Sequence, residues 1–306
     1  MRAIRIPAAV VSALAITISA FLQPAAAIAA EPLPDLVVNS DLLQHQWVVR
    51  DELLPATFCS VIEGGITPGV RRLIRFSVQT PNIGNADINL GDPNTHIAAN
   101  DGLYEFAKCH NHFHFRHYTI DELIDPATGT VWKAAKRGFC MIDTNPAPPS
   151  VGGSPPGPRV YKTCGRVGIA GNQGISVDWA DEYIFLLGGQ YFVLDGGDGQ
   201  PPVPPGLYKI RVTVNPPFVA AAGERCPHQD THGLCHQLPE SNYENNVGEA
   251  FVMIADHPGR GGIGPLAGTP HASDKSGTEP LDGDELREMT GSRGSRPVLV
   301  PKAGSS

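Results

Sequence analysis

The chain has 306 residues, 41% of them hydrophobic, and carries 23 basic against 31 acidic side chains for a net charge of −8. That length accommodates one large domain or two, and the acidic balance argues against nucleic acid as a partner. Residues 1–30 read as an export signal: Arg2 and Arg5 supply the positive start, Ala8 to Leu22 the apolar run, and Ala27-Ile28-Ala29 a small-x-small cleavage site. Ser12, Thr17 and Ser19 interrupt the apolar run, which falls short of a bilayer span, and no stop-transfer segment follows. Secretion without a membrane anchor is therefore expected, with a mature start near Ala30 or Glu31. Losing two arginines deepens the charge of the mature chain to −10, and an acidic surface attracts cationic molecules weakly.

All six cysteines, Cys59, Cys109, Cys140, Cys164, Cys226 and Cys235, lie in the exported part. An even count in an oxidising compartment favours three disulfides, with fifteen possible pairings. Cys226 and Cys235 close a short loop and are most simply paired with each other. His228, His232 and His236 in and beside that loop are metal-ligand types, but an ordinary stapled surface loop is the simpler reading.

The apolar periodicity is that of strands. Val70 to Gln79 alternates Ile74, Phe76 and Val78 against Arg75, Ser77 and Gln79. Gly206 to Asn215 does the same with Tyr208, Ile210, Val212 and Val214, and Gly248 to Ala255 gives a more continuous apolar strand. Gly and Pro clusters at 145–158 and 196–206 mark long loops. With no long amphipathic helix in sight, the expected class is all-β, a β-sandwich with long irregular loops and few short helices. From 257 to 306 the chain turns to Gly, Pro, Ser and charge, which reads as a disordered tail behind a domain spanning 31–256.

The stretch with the most chemical content is Cys109-His110-Asn111-His112-Phe113-His114, with His117 just beyond. Side chains at i, i+2 and i+4 of a strand leave by one face, so three imidazoles share a space while Phe113 and Phe115 point to a core. A straight strand would hold the first and third roughly 13 Å apart, whereas a common metal needs nitrogens at about 2.0 Å; the segment must curve or bulge. Imidazoles without carboxylates or thiolates among them suit copper, zinc or iron. A His-x-His-x-Asp-His zinc hydrolase would need an aspartate where Arg116 stands. Two further residues, Lys136 and Tyr183, read from their surroundings alone as a solvated lysine and a half-buried core tyrosine.

These pieces, in their common order from Leu33 to about Ala255, resemble the catalytic domain of the lysyl oxidase family, and most of all a bacterial-type secreted member of it. Leu33-Pro-Asp-Leu-Val37 is similar to the start of that domain, and Arg71-Arg-Leu-Ile-Arg-Phe76 with Asn82-Ile-Gly-Asn-Ala-Asp87 to its first strand and loop. Cys109 to His114 resembles its copper motif, Lys136 with Gly138-Phe-Cys140 and Asp143-Thr144 the segment carrying its cofactor lysine, and Gln173-Gly-Ile-Ser176 leading to Asp181-Glu-Tyr183 the region of its cofactor tyrosine. Val214-Asn-Pro216, Pro239 to Tyr243 and Asn245-Asn246 complete the pattern. The resemblance implies Cu(II) on His110, His112 and His114, a lysine tyrosylquinone made from Lys136 and Tyr183, and disulfides Cys59–Cys109 and Cys140–Cys164. It also implies oxidation of primary amines or peptidyl lysine by O2, giving an aldehyde, ammonia and hydrogen peroxide, with a carboxylate taking the α-proton. Asp181, two residues before Tyr183, and Asp121 and Glu122, nearer the histidines, are the candidates. The further cysteines that animal members carry around the cofactor are missing, so a looser Tyr183 loop is expected. Two other classes keep the histidines without the quinone: a copper-binding β-sandwich without turnover, and a mononuclear zinc hydrolase using His112, His114 and His117.

Overall fold

The alternation at residues 206–215 becomes the strand Gly206–Val214, whose Tyr208, Ile210, Val212 and Val214 are buried while the residues between them are partly covered. In the computed structural model, residues 31–259 are described apart from Arg137, Leu186, Ala222 and Glu224. The export signal and the chain from 260 onward lie outside the described residues. The protein is mostly β, in small antiparallel sheets joined by long loops, with the short helices Ser40–His45, Cys59–Ile62 and Pro93–Ala99. No helix among the described residues is long and apolar enough to cross a membrane.

Gly206–Val214 is flanked by Thr119–Ile124 on one side and Val247–Ile254 on the other. The more continuous apolar strand expected over Gly248 to Ala255 is Val247–Ile254, and its burial alternates strictly, leaving Val247, Phe251 and Met253 about half exposed. One face packs on the core and the other faces out, as in antiparallel sheets generally.

The predicted strand over 70–79 is two strands, Gly69–Phe76 and Val78–Pro81, broken at Ser77. The first pairs with Trp47–Leu54 and the second with Trp179–Tyr183. Ser77 serves the change of partner: its hydroxyl donates to Gln46 Oε1 at 2.9 Å and accepts from the Phe185 N–H at 3.0 Å. The polar residues between Ile74, Phe76 and Val78 are buried too. Arg75 reaches Glu52 through two contacts, Nε to Oε1 at 2.7 Å and Nη2 to Oε2 at 2.5 Å. Its Nη1 also donates to the carbonyls of Phe185 and Leu187. A buried pair this complete is tolerated because every charge is matched; removing one partner costs about 3–5 kcal/mol.

Three disulfides join Cys59 to Cys109, Cys140 to Cys164 and Cys226 to Cys235, and no cysteine is free. The backbone stays paired as far as Gly259, which exchanges two hydrogen bonds with Val49.

Candidate metal centre and tyrosine site

The strand His112–Phe115 pairs with Tyr104–Ala107 through a tight turn that contains Cys109, His110 and Asn111. His112 and His114 project from one face of that strand, and Phe113 and Phe115 are buried on the other. His110 precedes the strand. Asn111 adopts φ of +58°, a left-handed conformation that asparagine tolerates better than most residues, and this bend folds His110 back over the other two. The required curvature is thus a turn rather than a bulge. Ring centroids lie 5.6 Å apart for His110 and His112, 5.3 Å for His110 and His114, and 4.9 Å for His112 and His114.

The Nε2 atoms of His112 and His114 are 3.1 Å apart. Two nitrogens each about 2.0 Å from one ion and separated by that distance subtend roughly 100° at the ion, within the range that four-coordinate copper or zinc accepts. Among the described residues no set of three His, Cys, Asp or Glu donors already converges on one point. The third imidazole is instead turned: His110 Nδ1 lies 2.9 Å from Glu63 Oε2. The donor chemistry and the His112–His114 pair fit copper, and the His110 ring would have to turn to join them.

The segment 134–140 ties this centre to the tyrosine. The Phe115 N–H donates to the Phe139 carbonyl at 2.6 Å, which lays Gly138 flat against His114. A β-carbon on Gly138 would sit 2.3 Å from His114 Nδ1, so only glycine leaves that imidazole its place. Next along, Cys140 holds Tyr183: its N–H donates to the Tyr183 hydroxyl at 2.8 Å, and that hydroxyl donates to the Cys140 carbonyl at 2.9 Å. The ring of Phe139 stands edge-on to Tyr183 at 5.0 Å. Gln173 braces the whole assembly, donating to the carbonyls of Phe113 and Cys164 and accepting from the Met141 N–H.

Lys136 and Tyr183 are together. Lys136 Nζ stands 4.6 Å from the centroid of the Tyr183 ring and 5.3 Å from that of Phe139, inside the range of a cation–π contact. Tyr183 is fully buried rather than half-buried, and Lys136 is partly covered rather than solvated. Asp181 is also fully buried, on the same face of Trp179–Tyr183 as the tyrosine. Asp121 lies buried nearby; burial pushes its carboxyl up to about 7, with the side chains of Thr119 and Gln190 and the charge of Lys136 drawing it partway back. A cleft of about 370 Å³ is lined by Glu63, Glu105, His110, His114, His117 and Lys136 among others.

The loop after Tyr183, expected to be loose for want of cysteines, is held by other means. Arg75 grips its carbonyls at Phe185 and Leu187, and Ser77 its N–H at Phe185. Arg75, Gly138 and Glu63 are the residues that sequence reasoning did not assign to the site. Away from it, His236 is buried against Tyr243 and Asp230, and His232 faces Glu244, so the Cys226–Cys235 loop uses these two histidines in local contacts.

Residues 43–228 match the family model described as Lysyl oxidase. Lysyl oxidase homolog 4 of Bos taurus is 29% identical over 205 residues, which cover 62% of this chain and 23% of that protein. Lysyl oxidase homolog 4 of Mus musculus is 31% identical over 197 residues, 60% of this chain and 22% of the relative. Lysyl oxidase homolog 2 of Gallus gallus is 28% identical over 233 residues, 71% and 24% of the two chains. The chain thus spans about a quarter of the length of the curated relatives it matches.

Proposed function

Because the chain belongs to the lysyl oxidase family, we propose that it is a secreted, copper-dependent amine oxidase acting on primary amines, small or carried on peptidyl lysine, with O2 as oxidant. The products are an aldehyde, ammonia and hydrogen peroxide. The observation that supports this reading best is the 4.6 Å approach of Lys136 Nζ to the Tyr183 ring, beside a strand that carries two converging imidazoles.

His110, His112 and His114 would hold Cu(II). Copper with O2 would supply the oxidation that converts Tyr183 and Lys136 to lysine tyrosylquinone, which then draws electrons from the amine. The chain's own part is positional and acid–base. Cys140 fixes the Tyr183 oxygen through two backbone hydrogen bonds, and Phe139 fixes the ring plane. Burial of Tyr183 keeps bulk water from the ring. The Asp181 carboxylate, on the tyrosine's face of the strand, takes the α-proton of the substrate. Lys136 lines the cleft, so an amine entering past His114 and His117 arrives at the modified pair.

Metal analysis and a carbonyl-reagent stain of the aerobically purified protein test the proposal. Copper near one per chain together with a stained band is the expected result. Copper without stain would make it a copper-binding protein without turnover, and zinc without stain would favour a mononuclear hydrolase.

A further inference from the structure

Glu63 lies outside the sequence motifs of the site, yet its carboxylate contacts the histidine turn. Its position follows from one turn of helix. Cys59–Ile62 ends on Glu63, whose N–H donates to the carbonyls of Cys59 and Ser60, so Cys59 and Glu63, four residues apart, share a face. Cys59 is covalently bound to Cys109. Glu63 Oε1 accepts from the Cys109 N–H at 2.8 Å, and Oε2 lies 2.9 Å from His110 Nδ1. The disulfide and the carboxylate therefore clamp consecutive residues of the turn.

Resting on the copper reading above, we infer that Glu63 is a positioning residue for the metal, accepting the Nδ1–H of His110 so that Nε2 is the coordinating atom. A carboxylate offers only lone pairs, so a hydrogen bond between the two groups needs the proton on Nδ1; their 2.9 Å approach supplies the distance, and the ring has still to turn its N–H onto Oε2. His112 and His114 already face each other through Nε2, and Nε2 on His110 completes a set of one kind. A carboxylate behind a ligating imidazole fixes the ring and raises its basicity. His110 needs this most, because it stands in a turn, whereas His112 and His114 are held in a strand.

The test is competitive copper titration of the full chain, with electron paramagnetic resonance of the bound Cu(II), on wild type, Glu63→Gln, Glu63→Ala and His112→Ala. Glu63→Ala should bind copper roughly 10- to 100-fold more weakly with an altered copper spectrum. Glu63→Gln has one acceptor oxygen where the carboxylate uses two, for the Cys109 N–H and for Nδ1, so it should also bind copper more weakly than wild type. Thermal melting and a free-thiol count on each variant separate loss of positioning from loss of fold. Wild-type affinity and spectrum in Glu63→Ala would overturn the inference, as would wild-type affinity and spectrum in Glu63→Gln. If wild type itself binds no copper, or His112→Ala binds it fully, the copper reading fails instead.

Discussion

The Lys136 amine lies over the Tyr183 ring at 4.6 Å, although 47 residues separate the two in sequence. The juxtaposition exists in the unmodified chain, so the proposed cofactor would form without a rearrangement that first brings distant loops together. Tyr183→Phe keeps the ring and removes the oxygen. It should abolish amine-dependent peroxide release and leave copper content unchanged, because the histidines are untouched. It also strips Cys140 of two hydrogen bonds and should lower stability by about 1–3 kcal/mol, read from urea unfolding. Amine oxidation at the wild-type rate would refute the mechanism.

Gly138→Ala addresses the contact between the lysine segment and the His114 side chain. The added methyl would fall within 2.7 Å of three His114 ring and Cβ atoms, and the backbone there is pinned by the bond from Phe115 to Phe139. Copper affinity should fall at least about tenfold while the disulfides form normally; an unchanged isotherm would mean that His114 has room to move or is not a ligand.

The disulfides should separate by function. Replacing Cys59 and Cys109 together with serine should cost about 2–4 kcal/mol and weaken copper binding, because the bond holds the His110 turn against Glu63. The Cys226→Ser, Cys235→Ser double variant should bind copper as wild type does. Equal copper loss in both would argue for a general folding effect.

Asp121 gives the stability a pH dependence of definite sign. Burial raises its carboxyl from 3.8 to about 7, so between those values the folded protein retains a proton that the unfolded chain has released. Stability must fall as pH rises through that window, by up to about 1.4 kcal/mol per pH unit, and level off above it. Glu240, also buried and raised to about 8, adds a slope of the same sign that extends higher. Asp121→Asn should therefore flatten the profile below pH 7 and leave the part above it. Urea midpoints between pH 4 and pH 8 check this, and an unaltered slope would contradict it.

Much of the histidine site was legible because strand periodicity is a two-residue rule: His112 and His114 had to share a face, and Phe113 and Phe115 had to be buried. The need for a bend was legible as well, but not its location, which depends on Asn111 taking a left-handed conformation that its sequence only permits. Long-range partners left no local trace. Glu63 reaches His110 across 47 residues, and Arg75 reads as a solvent-side residue of an alternating strand until Glu52 and the carbonyls of Phe185 and Leu187 are seen around it. Ser77 breaks its strand for the same kind of reason, since its two hydrogen-bond partners come from other parts of the chain.

Peptide mapping of the aerobically copper-loaded protein tests the central claim most directly. Proteolytic digestion followed by mass spectrometry should yield one cross-linked species joining the Lys136 and Tyr183 segments, absorbing in the visible and absent from Tyr183→Phe. Recovery of both segments only as separate, unmodified peptides from fully copper-loaded, oxygen-exposed protein would contradict it.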